Sequence, residues 1–376
     1  MAEELLVEVD RAGVRTTMAA KRWGSEEGEP WLLIHGWMDN ASSFDLLAPA
    51  LLERMPSGAQ LVCVDLIGHG HSSHRPGGVY YLVDYVADAF LFVEALGWKN
   101  FSVLGHSLGQ SVASVLSSTL KGRITRLVML EGLGPTTDPS YAVPSGLEKS
   151  LKQMLTVPPP KKIYASAEEA TQRRMAGNVV GPLPRLAASI LVSRGTVPVK
   201  EAPPPARTLL SESDSFKVWR LEPSQDPKVT KEGQAESAIP VIWSFDDALK
   251  LPSRLKLTEP VLQSFLARIE CPVLLILTKD GLFSHYGAKP TMITTFRGRT
   301  LFRWLYYAVW LSSCMPLLGR RLLPFLSKVR AAHELAARFT AIRKLRCVVT
   351  PSGGHHPHLQ EDQVDRIASE IAQWSI

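Results

Sequence analysis

Short apolar runs recur along the first third of the chain and again near its end. Trp31-Leu-Leu-Ile34, Leu61-Val-Cys-Val-Asp65, Phe101-Ser-Val-Leu104, Leu127-Val-Met-Leu130, Cys271-Pro-Val-Leu-Leu-Ile-Leu277 and Arg346-Cys-Val-Val-Thr350 lack the polar alternation of a half-exposed strand. Unbroken runs of this length predict strands covered on both faces. Segments with helical spacing separate them: a helix capped by Ser42 or Ser43 and running through Leu52, then Asp84 to Leu96, Ser111 to Leu120 and a closing amphipathic helix from Glu361 to Trp374. Leu5 to Val9 and Thr16 to Trp23, joined by the turn Asp10-Arg-Ala-Gly13, predict an opening hairpin. Strand and helix in this alternation imply an α/β fold with a mostly parallel central sheet flanked by helices. Sites in such sheets form at the carboxyl ends of the strands, which is where the glycine-rich breaks fall.

The alternation stops between about Pro135 and Arg268. That stretch holds Pro158-Pro-Pro160, Pro203-Pro-Pro205 and helix-like pieces at Ala167 to Met175 and Leu186 to Arg194, and it is too long for a loop. It predicts a helical cap inserted into the sheet domain, with Ser211 to Ser237 as a mobile insert. The expected division is therefore 1–134 and 269–376 for the core and 135–268 for the cap.

Composition narrows the class. With 45% hydrophobic and 21% charged residues among 376, the chain has the balance of a folded globular protein. Cys63, Cys271, Cys314 and Cys347 are far apart and form no CxxC pair, as expected of reduced core residues in an intracellular protein. The first ten residues alternate acids with apolar residues and lack the basic and apolar regions of a signal peptide, so a cytoplasmic protein is expected.

The net charge of +6 is concentrated in one segment. Between Gly287 and Arg346 twelve Lys or Arg stand against a single acid, Glu334, so this segment carries more positive charge than the whole chain. A nucleic-acid footprint should recruit several elements, and none is expected here. Within the segment, a basic aromatic insert at about 287–330 contains the uncharged run Trp304 to Gly319, too short to span a membrane and interrupted by Pro316. Two readings stay open: a peripheral membrane contact through residues 297–330, where aromatics and arginines suit the headgroup region, and a buried helical hairpin.

The chemistry gathers on Gly105-His-Ser-Leu-Gly109, which follows one apolar run and precedes a helical segment. Strand, tight turn and helix present the serine on a strained backbone, with glycines where no side chain fits. A serine hydroxyl needs a neutral imidazole to take its proton and a carboxylate to orient that imidazole. Asp280 follows a later strand and His355 follows the last one, giving Ser107, Asp280 and His355 in the order expected of this architecture. Glu131, at the end of the strand after the elbow helix, is the rival acid. His356 and His358 compete with His355.

The amides of Leu108 and of the turn after Ile34, at Trp37, are the expected oxyanion donors. His-His-Pro-His looks like a metal cluster, yet no further ligands at suitable spacing accompany it, so neither metal nor cofactor is expected. His69, His71 and His74 are expected to satisfy local backbone or to line the pocket.

Taken together, these motifs resemble the α/β-hydrolase superfamily. More narrowly, His35-Gly-Trp-Met-Asp-Asn-Ala-Ser-Ser-Phe44, Gly68-His-Gly-His-Ser-Ser-His74, Gly105-His-Ser-Leu-Gly109, Leu191-Val-Ser-Arg-Gly-Thr196 and the segment Trp243 to Leu257 resemble the serine hydrolase-like proteins and their bacterial relatives. The resemblance implies Ser107 as nucleophile, His355 as base and Asp280 as acid, without a cofactor. The expected activity is cleavage of an ester, with thioester or amide as lesser alternatives, and the Leu, Val, Ile and Met of the expected cap favour a hydrophobic small-molecule substrate. A hydrolase fold retained as a catalytically inactive, membrane-associated or binding scaffold is the alternative. The oligomeric state is not encoded in any motif. The insert at 287–330 departs from the family pattern between acid and base.

Overall fold

The computed structural model describes residues 2–11, 14–55, 58–76, 78–154, 161–177, 181–199, 207–213, 216–221, 239–251, 253–281 and 334–375. The basic aromatic insert, with the membrane contact expected for it, lies outside the described residues. Among the described residues no helix is long and apolar enough to cross a membrane.

All six apolar runs are strands. Parallel β3 (Glu29–Ile34), β4 (Ala59–Val64), β5 (Phe101–His106), β6 (Ile124–Leu130), β11 (Val273–Thr278) and β12 (Leu345–Thr350) form six adjacent strands of a ten-stranded sheet. The opening hairpin of β1 (Glu3–Arg11) and β2 (Val14–Gly24) extends it antiparallel. The strand order is β12-β11-β6-β5-β3-β4-β2-β1-β9-β8, the last two being β9 (Phe216–Leu221) and β8 (Arg207–Glu212).

Successive residues of each central strand enter different cores, because side chains alternate across the sheet. Leu32, Ile34, Val103, Leu127, Met129 and Leu275 face one layer, built on α2 (Leu82–Ala95) and α3 (Leu108–Thr119). Trp31, Leu33, Leu104, Val128, Leu130 and Ile276 face the other, built on α1 (Leu47–Leu52) and the final helix α8 (Glu361–Ser375). Two covered faces explain why these runs carry no polar alternation.

The helix expected from Ser42 or Ser43 begins differently. Asn40 caps a 3-10 turn at Ala41–Phe44, its side chain accepting from the Ser42 amide, and α1 starts only at Leu47. Ser43 instead turns its hydroxyl to His358.

The stretch 135–268 divides its elements between two places. The helices α4 (Val143–Met154), α5 (Ala167–Met175) and α6 (Arg185–Gly195) accompany a two-stranded ribbon of β7 (Thr196–Pro198) and β10 (Val241–Trp243). By contrast, α7 (Glu259–Leu266) sends Leu262 and Leu266 into the core beneath α3. The hairpin of β8 (Arg207–Glu212) and β9 (Phe216–Leu221) pairs antiparallel with β1 and lengthens the sheet. Residues 211–212 and 216–221 of the expected mobile insert are thus ordered sheet; 214–215 and 222–237 lie outside the described residues. Val218, the buried residue of β9, gives the hairpin its hold on the core.

The helices α5 and α6 are seated on the loops that follow β3 and β4. Arg194 of α6 is 4% exposed, donating from Nε to Asp65 at 2.9 Å and from Nη1 to both Glu4 oxygens at 2.7 Å. Asn40 Nδ2 donates to the Leu191 carbonyl at 2.8 Å, and Arg174 of α5 donates to Asp39 at 2.7 Å.

Candidate active site

The elbow falls between β5 and α3. Ser107 has φ 51° and ψ −113°, a conformation that costs a non-glycine residue about 1–3 kcal/mol and persists only where its surroundings enforce it. Its amide donates to the Leu130 carbonyl at 3.0 Å, which fixes the turn against β6. A Cβ on Gly109 would sit 1.9 Å from the Ile34 carbonyl oxygen, so only glycine lets α3 start this close to β3. Among the described residues, positive φ outside glycine occurs only at Met38, Ser107 and Glu131. These follow β3, β5 and β6, three adjacent strands, so the strain is gathered at the carboxyl ends of the interior strands.

His355 Nε2 lies 2.9 Å from Ser107 Oγ. The serine is half-buried while the imidazole is 5% exposed. With the hydroxyl donating to Nε2, the ring proton belongs on Nδ1, and Nδ1 faces Glu131 Oε2 at 3.5 Å. Glu131 is fully buried, and its Oε1 accepts from the Thr278 amide at 2.6 Å, so the carboxylate is held by β11 as it faces the histidine.

Asp280 is exposed, and its Oδ1 accepts from the Gly354 amide at 3.0 Å. The structure therefore brings Ser107, His355 and Glu131 together and places Asp280 on the main chain just before the histidine. The reason is local: β11 ends at Thr278, whose hydroxyl also donates to the Gly354 carbonyl, so this corner serves to fasten the base loop.

Leu108 opens α3, where a main-chain amide has no partner within its own helix and points out of the N-terminus. Trp37 lies in a turn closed by the Asp39 amide on the Gly36 carbonyl at 3.1 Å. Its indole donates to the Leu249 carbonyl at 3.2 Å, tying this turn to the stretch after β10, and the side chain is 40% exposed.

Behind the serine, His356 and His358, read in the sequence as rivals of His355, join His106 and Asp39 in a second, buried group. His106, His356 and His358 pack ring on ring, with centroids 4.2 Å apart for His106–His358 and 4.9 Å for His106–His356. Asp39 is 3% exposed and accepts from His356 Nε2 at 3.1 Å and from Arg174 at 2.7 Å. Burial pushes the Asp39 carboxyl up, but His356 and the Arg174 guanidinium outweigh it and hold it well below the usual carboxylate range. Burial also pushes His106, His356 and His358 down, so an ionised carboxylate meets neutral imidazoles and one guanidinium.

Asp39, His106 and His356 bring three metal-capable atoms within 4.8 Å of one another. The carboxylate charge is already matched by Arg174, and a Cβ on Gly36 would lie 3.0 Å from both Asp39 Oδ2 and His106 Nδ1, so the gap is lined tightly by main chain. A divalent cation here would add positive charge buried beside the Arg174 guanidinium, which disfavours it. The signal for this group was present in the motifs: Asp39 stands in the His35-Gly-Trp-Met-Asp-Asn run and His106 inside the elbow.

Of the other turn histidines, His69 and His74 meet main-chain carbonyls, and the His71 amide donates to Asp65 Oδ2 at 2.9 Å. His69 Nδ1 lies 3.3 Å from the Ile67 oxygen and His74 Nε2 2.8 Å from that of Ser244; burial pushes His69 down to about 3. His35 Nδ1 lies 2.8 Å from the Gly36 carbonyl and its Nε2 accepts from the Leu66 amide at 3.0 Å, which assigns its tautomer and joins the turn after β3 to the one after β4.

A family profile described as alpha/beta hydrolase fold matches residues 29–175. The chain is similar to a serine hydrolase-like protein of Homo sapiens, 45% identical over 115 residues, 30% of this chain and 55% of that protein. It is also similar to a serine hydrolase-like protein of Dictyostelium discoideum, 39% identical over 125 residues, 32% of this chain and 34% of that protein. These matches take in less than two thirds of the relatives' lengths. A hypothetical protein of Pseudomonas aeruginosa, known by crystal structure, is 29% identical with a TM-score of 0.68, covering 98% of this chain and 99% of that one. Its agreement extends over the whole sheet, beyond the stretch that the sequence relatives share. The chain has the α/β-hydrolase fold.

Proposed function

We propose that the protein is a serine hydrolase that cleaves an ester, with thioester or amide as lesser alternatives, through an acyl-enzyme. The observation that carries this reading is the half-buried Ser107 on its strained turn with Oγ 2.9 Å from His355 Nε2. Ser107 Oγ attacks the acyl carbonyl while its proton passes to His355 Nε2. The tetrahedral oxyanion takes hydrogen bonds from the amides of Leu108 and Trp37. Nε2 then returns the proton to the leaving oxygen as the carbon–oxygen bond breaks, and water repeats the sequence to release the acid.

Glu131, rather than Asp280, is the acid in this reading. It is the buried carboxylate facing Nδ1, and such a group keeps the reactive tautomer and stabilises the imidazolium that forms. The apolar side chains of Trp37, Met38 and Leu108, none fully buried, favour a hydrophobic small-molecule substrate. Soluble acyl esters of graded chain length test the substrate class: turnover that rises with chain length supports the reading, and turnover confined to the shortest acetyl ester contradicts the hydrophobic preference. Product analysis separates ester hydrolysis from other chemistry on this fold.

A further inference from the structure

The base loop is held from outside its own catalytic ring. His355 contributes its imidazole to Ser107, yet its main chain and both neighbouring histidines are bound to other elements. The His355 carbonyl accepts from His106 Nε2 at 2.7 Å. A carbonyl only accepts, so His106 carries its proton on Nε2 and leaves Nδ1 as a lone pair without a hydrogen bond. His356 Nε2 lies 3.1 Å from Asp39 Oδ2, and His358 Nε2 lies 2.7 Å from Ser43 Oγ. Three successive anchors thus fix residues 355, 356 and 358 to the residue before the nucleophile, to the turn after β3, and to the 3-10 turn that follows it.

Asp39 is the member that joins these parts. Its amide closes the turn containing Trp37, its Oδ2 holds His356, and its Oδ1 accepts from Arg174 of the cap segment. The same Oδ2 lies 3.8 Å from His106 Nδ1, within the elbow itself. One buried carboxylate therefore touches or borders the oxyanion turn, the elbow, the base loop and the cap. The catalytic ring itself has one hydrogen bond, to Ser107, and a carboxylate at 3.5 Å, too few to set its direction unaided.

We propose that Asp39 is a positioning residue for the hydrolysis described above: through His356 it sets the main chain of the base loop, and through Arg174 it makes that setting depend on the cap being seated. Because the inference rests on the proposed hydrolysis, its test must separate a misplaced base from a misfolded molecule. Single-turnover labelling of the full chain with a fluorophosphonate does so. A misfolded fraction lowers the amplitude and leaves the rate constant of the remainder unchanged; a misplaced base lowers the rate constant at full amplitude.

His356→Leu removes one anchor without leaving Asp39 unpaired, since Arg174 remains. It should label Ser107 to full amplitude at a rate reduced about 10–100-fold, the range in which small misplacements act. His356→Gln, whose amide reaches toward Asp39, should restore the rate to within about threefold of wild type. Arg174→Met should slow labelling in the same way as His356→Leu. A wild-type rate constant in both His356→Leu and Arg174→Met overturns the proposal while leaving the hydrolase reading intact. A wild-type chain that is folded yet unlabelled overturns the hydrolase reading and this inference with it.

Discussion

Two adjacent histidines face two different carboxylates across the same loop, and they have opposite characters. His355 points its Nδ1 at Glu131 over 3.5 Å and its Nε2 at a serine that is half-buried. His356 is sealed against Asp39 at 3.1 Å, with Arg174 completing the carboxylate's partners. Both acids are buried, so burial alone does not mark the reactive pair. What differs is the contact: the Asp39 carboxylate has its charge matched by Arg174 and takes a hydrogen bond from His356, whereas Glu131 faces His355 over 3.5 Å and the other side of that ring meets the half-buried Ser107. A site that must move a proton needs that slack, and a site that must hold a loop needs its absence.

Replacement of the two carboxylates by amides should split activity from stability. Glu131→Gln should lower kcat/KM about 10³–10⁴-fold, because the wrong imidazole tautomer is then favoured, with the fold retained by circular dichroism. An unchanged kcat/KM would return the role to Asp280. Asp39→Asn should instead show its main effect in denaturant unfolding, losing about 3–5 kcal/mol, because the buried Arg174 charge is left without its counter-charge. Equal losses of stability in the two variants would erase the contrast.

Acid should act on the sealed side. His106, His356 and His358 are held below the usual imidazole range by burial, as are His35 and His69. The unfolded chain takes up protons at these positions below about pH 6.5 and the folded one does not, so stability is full above that pH and falls as pH drops. His69, pushed down to about 3, contributes about 2 kcal/mol of this loss on going to pH 5. Melting temperatures at pH 7.5 and pH 5 read the sum, and a pH-independent melt would contradict it. The smallest effect belongs to Asp280→Asn, expected to cost less than about tenfold in kcat/KM, since an exposed side chain tying down one amide contributes about 1 kcal/mol.

The strands and the elbow were legible because both follow from short-range rules. Runs such as Val273 to Leu277 are apolar at every position only if both faces are covered, and Gly105 and Gly109 mark a turn that admits no side chain. The acid was not legible in the same way. Asp280 and Glu131 both end a strand in the sequence; only the sheet order, which sets β6 beside β5, and the positive φ of Glu131 show which carboxylate turns toward His355. The β8–β9 hairpin escaped notice because its serines and charges read as a polar linker, and its strand character comes from pairing with β1, far away in sequence. The Asp39 network is equally non-local, drawing on residues 39, 106, 174 and 356.

The most direct measurement is covalent labelling by a fluorophosphonate followed by peptide mapping. The account predicts stoichiometric modification of wild type at Ser107 and none in a folded Ser107→Ala variant. Undiminished labelling of Ser107→Ala, or a folded wild type that stays unmodified, would contradict it.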